Sequence, residues 1–301
     1  MRVAESRLYV LRFQPLSPSL SPSLPVLSHF HAHPPMNPLF RALEWTATTF
    51  NELAVWKGEC RVWDQRMASP TFERWLYLRM HWLGLMGRDE RKYLEKHIRP
   101  GMRILDVGSN LGLYSILSAR LIGPTGRLIC FEPDPVVFAA LQESCRKNGV
   151  AQVECHNLAL GSAPAELALH KSILNSGDNH LGPREGQLSR HDAKVQVVRL
   201  DDFLPRLKVD LVKIDVQGWE VEVLRGMRRT LAENPGVQVY FEFWPLGYRR
   251  ANCAPRDLCG FFRQEGFRIF DPVTGAELSD DVIERLAQPY GWMNLLARRQ
   301  V

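Results

Sequence analysis

The stretch RILDVGSNLGLYS, residues 103–115, divides into three pieces. Residues 103–107 form a short apolar run interrupted by Asp106, residues 108–112 carry two glycines and an asparagine, and residues 111–121 resume with helical spacing. The pattern predicts a strand, a tight glycine turn and a helix. Such a turn sets a helix N-terminus at the end of a strand, and Gly108 and Gly112 leave room for a polar ligand to approach. A second apolar run, 127–131, ends in Glu132, an acidic residue on the tip of the neighbouring strand and therefore placed to accept both hydroxyls of a ribose. Together the two strand ends predict a site for an adenosine-containing cofactor, built from Asp106, Gly108, Asn110, Gly112 and Glu132.

Working outward, the composition is that of a globular protein. The chain has 301 residues, 45% hydrophobic and 24% charged, with a net charge of +5. Lys and Arg are scattered rather than grouped, which disfavours a nucleic-acid partner. The six cysteines form no C-x-x-C pair, and Cys130 and Cys155 fall in expected core strands, so reduced thiols in a cytoplasmic protein are the simpler expectation. No apolar run reaches the roughly 18–20 residues that a membrane span requires.

Residues 1–36 are rich in Ser and Pro and predict a disordered tail, with Met36 as an alternative start of translation. Residues 37–100 predict a helical, tryptophan-rich cap. Within it, FERWLYLRMHWLGLM at 72–86 is apolar around most of its circumference and too short to span a bilayer. It could pack on the following domain, close over its site, or make a peripheral contact with a membrane surface. From 101 to 301 strands and helices alternate, with strands expected at 103–107, 127–131, 152–156, 209–214, 237–245 and 267–270 and a last run, 292–297, closing the sheet edge. Alternation of this kind gives an α/β fold with a doubly wound, mostly parallel, seven-stranded sheet and an N-terminal helical extension. In such a sheet ligands bind at the carboxyl ends of the strands, where Asp106, Glu132, Asn157, Asp215 and Glu242 are all expected.

A dinucleotide fold would place glycines at 108, 110 and 113, but positions 110 and 113 are Asn and Leu. The D-x-G-x-N-x-G pattern suits a ligand with no pyrophosphate. A methionine zwitterion fits it, with the carboxylate on the loop amides and the ammonium near Asp106. ILDVGSNLGLYS, FEPDP, NLALG at 157–161, RLDDFL at 199–204 and above all DLVKIDVQGWEVEVLRG at 210–226 resemble the FkbM family of S-adenosylmethionine-dependent methyltransferases, which have the class I, Rossmann-like fold. The resemblance implies a cytoplasmic O-methyltransferase acting on a hydroxyl of a sugar or secondary metabolite, with S-adenosylmethionine as cofactor and a small molecule or glycan as acceptor. Gln217 departs from the family, which commonly has glutamate before the glycine.

An alcohol is a poor nucleophile, so a base at the strand ends would help, with Asp215 first, then Glu242 and His180. His180 is alternatively a solvated loop histidine. Asn157 is either a turn residue or, with Ala159, a contact to the adenine edge. Lys213, in a strand buried on both faces, must either be paired, with Asp215 or Glu242, or face the substrate together with Gln217. No metal cluster is visible in the sequence. Two other functions compete with catalysis of methyl transfer: a degenerate chain that binds the cofactor without turnover, and a nucleotide-dependent oxidoreductase.

Overall fold

A computed structural model describes residues 58–170, 180–181, 193–287 and 292–300. Its strands are β1 (Gly58–Val62), β2 (Gln65–Ser69), β3 (Arg103–Val107), β4 (Arg127–Phe131), β5 (Val153–His156), β6 (Ala159–Leu160), β7 (Ala165–His170), β8 (His180–Leu181), β9 (Ala193–Val198), β10 (Leu211–Ile214), β11 (Gln238–Phe243), β12 (Phe267–Phe270) and β13 (Met293–Arg299). Seven of them make the main sheet in the order β12-β13-β11-β10-β3-β4-β5. The pairs among β11, β10, β3, β4 and β5 are parallel, and β13 runs antiparallel to both of its neighbours.

The parallel strands are short apolar runs because both of their faces are covered. In β3 the period of two sends Leu105 and Val107 into one half of the core and Ile104 into the other. The same alternation places Asp106 on the Ile104 face, and the parallel register sets Asp106 beside Cys130 on β4 and beside Lys213 on β10. Lys213 in turn lies beside Tyr240 of β11. A polar layer therefore crosses an otherwise apolar sheet face, and the Phe72–Trp82, Arg88–His97 and Leu113–Ile122 helices contribute to the core on that side.

The helix boundaries follow local chemistry. Asp134 caps the Pro135–Asn148 helix by accepting from the Val136 amide at 2.9 Å, and Gly149 ends it in a left-handed conformation at φ 66°. Two features differ from the sequence reading. Residues 58–69, within the segment expected to be helical, form the β1–β2 hairpin, because Trp63 and Asp64 both adopt positive φ, as a two-residue turn between twisted strands requires. The last strand, β13, does not close the sheet edge but inserts between β11 and β12, leaving β12 outermost. Beside the main sheet, β6, which lies within NLALG, joins β9, β7 and β8 in a separate sheet ordered β6-β9-β7-β8. Residues 1–36, and most of the polar loop between β7 and β9, lie outside the described residues. Among the described residues no helix is long and apolar enough to cross a membrane.

Candidate active site

A cleft of about 280 Å³ opens at the carboxyl ends of β3, β4, β10 and β11 and is roofed by the two helices that precede β3. Its floor is the glycine turn. Gly108 has φ 81°, and a Cβ built there would meet the Asp215 carbonyl oxygen at 1.9 Å, so only glycine lets the ends of β3 and β10 come this close. Gly112, also at positive φ, packs on Leu141 and shapes the turn without lining the cleft.

The turn amides are not free to bind an anion. The Gly108 and Ser109 amides donate to the Phe131 carbonyl, each at 3.0 Å, and the Gly112 amide donates to the Ser109 carbonyl at 2.9 Å. The Asn110 amide donates to Glu132 Oε2 and the Leu111 amide to Asn110 Oδ1, both at 2.9 Å. The expected seat of a carboxylate on this loop is therefore occupied by the protein's own acceptors. The cation beside it comes from the roof: Arg74, 4% exposed, donates to Asn110 Oδ1 at 3.1 Å and lines the cleft.

Glu132 lines the cleft, with Oε1 accepting from the Asp134 amide at 2.9 Å. Burial pushes its carboxyl up to about 7 against the pull of these amides and of Arg74. Each oxygen keeps a lone pair for a hydroxyl donor. Asn157 does not line the cleft; its amide donates to the carbonyls of Glu132 and Pro133, each at 2.9 Å, and so fixes the turn after β4. Leu158, Ala159 and Leu160 give this end an apolar wall.

Asp106 lies below the cleft. Its Oδ2 accepts from Ser115 Oγ at 2.6 Å and its Oδ1 stands 3.8 Å from Lys213 Nζ. Lys213 is 5% exposed and pairs more closely with Asp215 Oδ2, at 3.3 Å, as residues two apart on one strand face can. Burial alone would lower the Lys213 ammonium, but Asp215, Asp106 and Glu90 outweigh it and hold the ammonium above its usual range. Of the pairings open to Lys213 in the sequence, the structure forms the one with Asp215 and adds Asp106.

Gln217, at φ 57°, turns its amide between two carboxyl groups and donates from Nε2 to Asp215 Oδ1 at 2.9 Å and to Glu242 Oε2 at 2.7 Å. Burial, then the neighbouring Asp215 and Glu220, raise the Glu242 carboxyl well above its usual range. His180 lies on β8, but its side chain is outside the described residues.

The sequence reading missed what the roof supplies. Arg74, Tyr77 and His81 all line the cleft, and their spacing of three and four puts them on one side of the helix. That polar stripe on an otherwise apolar segment is legible in FERWLYLRMHW. His81 Nδ1 donates to the Tyr77 carbonyl at 2.9 Å, which leaves Nε2 to accept from Tyr114 at 3.2 Å, and burial lowers the imidazole from its ordinary value. Glu90, in the first turn of the next helix, also faces the cleft, and burial raises its carboxyl. Nothing in its local sequence marks it out.

Several methyltransferases are similar in sequence to part of this chain. Methyltransferase 1 of Beauveria bassiana is 32% identical over 41% of this chain and 57% of its own length. The 2-O-methyltransferase NoeI of Sinorhizobium fredii is 30% identical over 45% of this chain and 61% of its own, and the hexuronic acid methyltransferase AglP of Haloferax volcanii is 26% identical over 42% and 50%. The chain thus spans about half to three-fifths of the length of these relatives. A TehB-like SAM-dependent methyltransferase structure from Corynebacterium glutamicum aligns at 11% identity with a TM-score of 0.42, covering 76% of this chain and 95% of that one. The profile of the methyltransferase FkbM domain matches residues 106–269, more than half of the chain and the whole span from Asp106 through Glu242, so the chain belongs to the FkbM methyltransferase family.

Proposed function

We propose that this protein is an S-adenosylmethionine-dependent O-methyltransferase whose acceptor is a hydroxyl of a sugar or secondary metabolite. One observation carries the reading: the Gly108 turn lies directly against Asp215, so the adenosine-type site at the ends of β3 and β4 is continuous with a carboxylate pair at the ends of β10 and β11.

The residues present fit the cofactor. Glu132 offers lone pairs to ribose hydroxyls, Leu158 and Ala159 offer an apolar edge to adenine, and Arg74 supplies the cation for the carboxylate of the methionine half. When bound, the cofactor supplies an activated methyl group on a sulfonium. The protein's own work is to align the acceptor, exclude water and accept a proton. Asp215 is the residue placed to take the proton of the acceptor hydroxyl, with its oxygens fixed by Lys213 and Gln217. Glu242, whose carboxyl is raised well above its usual range by burial and then by Asp215, can hydrogen-bond the acceptor.

The test is transfer of labelled methyl from S-adenosylmethionine to a fractionated extract, with mass spectrometry of the product. A labelled alcohol ether is expected, and it should be lost in Asp215→Ala. Failure of the purified protein to bind S-adenosylmethionine would remove the reading.

A further inference from the structure

The acceptor end of the cleft has a charge balance of its own. Three carboxyl groups, Glu90, Asp215 and Glu242, line it, and they come from three separate elements. Among the described residues the one Lys or Arg side chain that lines this end is Lys213, whose charge is already committed to Asp215 at 3.3 Å and Asp106 at 3.8 Å. The other lining cation, Arg74, is tied to Asn110 at the cofactor end. The roof histidine, His81, is buried with its imidazole lowered and brings no fixed charge. Gln217 adds an amide that satisfies two of the carboxyl groups and neutralises neither. Burial raises Glu90 and Glu242, and Asp215 adds to the rise of each while Lys213 opposes it.

The walls add a second, independent feature. Trp244 and Trp292 line the same end, Trp292 being 53% exposed, and flat indole faces pack against the C–H faces of pyranose rings and attract ammonium groups. Arg250 stacks on Trp244 at 5.0 Å but does not line the cleft.

We infer that the acceptor seated between these walls is an amino-bearing sugar, its ammonium among Glu90, Asp215 and Glu242 and its hydroxyl presented to Asp215, and that anionic sugars such as uronic acids are excluded. The inference rests on the methyl-transfer reading above and deepens it. An ammonium there adds a positive charge beside Asp215 and donates hydrogen bonds to the carboxyl oxygens of Glu90 and Glu242. A sugar carboxylate in the same place would face like charge in a half-buried site, which is how a site rejects a ligand of similar shape. The expected selectivity is opposite to that named for the hexuronic acid methyltransferase AglP.

The test is binding of three methyl glycosides of equal size, the glucosaminide, the glucoside and the glucuronide, to the full chain with S-adenosylhomocysteine present, followed by saturation-transfer NMR. The glucosaminide should bind about tenfold or more tighter than the glucuronide, with the glucoside between them. Glu90→Gln and Glu242→Gln should each narrow that gap, and melting curves will show whether the variants are folded. A glucuronide that binds as tightly as the glucosaminide, a gap unchanged in both folded variants, or no binding by any of the three would overturn the inference. Titration with S-adenosylmethionine alone separates the two levels: cofactor binding without sugar selectivity sinks only the acceptor class, whereas loss of cofactor binding sinks the methyl-transfer reading.

Discussion

Gly108 lies so close beneath Asp215 that a Cβ on it would stand 1.9 Å from the Asp215 carbonyl oxygen. The contact joins the proposed cofactor turn to the end of β10, which carries the proposed base. Gly108→Ala must therefore either push β10 away or abandon a φ of 81°. Left-handed backbone costs an alanine about 1–2 kcal/mol, and overpacking adds about 1–3 kcal/mol. A melting curve should show a loss of that order, and calorimetry should show no measurable S-adenosylmethionine binding.

Arg74 is the cation beside a turn whose amides are already satisfied. Arg74→Ala should weaken S-adenosylmethionine by about 10- to 100-fold, the worth of charge-assisted hydrogen bonds of about 1.5–3 kcal/mol. Methylthioadenosine, which lacks the amino-acid end, should bind both proteins nearly equally. An equal loss for the two ligands would show that Arg74 acts by supporting Asn110.

Lys213 balances the buried Asp106 and the partly exposed Asp215 at the foot of the cleft. Lys213→Ala leaves one carboxylate buried without its cation and should cost about 3–5 kcal/mol in urea unfolding. Loss of less than 1 kcal/mol, about the value of a surface pair, would mean that Asp106 does not depend on Lys213 for its charge.

Gln217→Glu would put a third carboxyl group against Asp215 and Glu242, replacing a donor at 2.9 and 2.7 Å with an acceptor. The variant should lose about 1–3 kcal/mol at neutral pH and recover most of it in acid, where the added carboxyl takes up a proton. Unfolding measured across pH separates this from a simple packing defect, which would not recover.

Glu220 is 1% exposed, and burial pushes its carboxyl from 4.5 up to about 8. The folded state holds this proton more tightly than the unfolded chain does. The contribution to stability is therefore full below 4.5 and is lost as pH rises toward about 8. Glu132, raised to about 7, acts in the same direction. The melting temperature should fall across this window in the wild type and fall less in Glu220→Gln. Parallel curves would place the proton elsewhere.

Much of the fold could be read from short stretches of the chain. The apolar run, acidic tip and glycine turn at 103–112, the cap at Asp134 and the stop at Gly149 each depend on backbone and side-chain preferences within a few residues, and each appears where local chemistry puts it. The seven strands of the main sheet and its mostly parallel character follow from the same alternation. The place of β13 does not, because an antiparallel strand carries the same period of two whether it pairs with one neighbour or two. Nor do the satisfied turn amides, the bridge made by Gln217, or the entry of Arg74 and Glu90 into the cleft. Those contacts join residues that lie far apart in the chain, and their distances are set by parallel register and by how two helices dock over the sheet. Local periodicity places a side chain on a face of its element; only the packed structure determines which other face it meets.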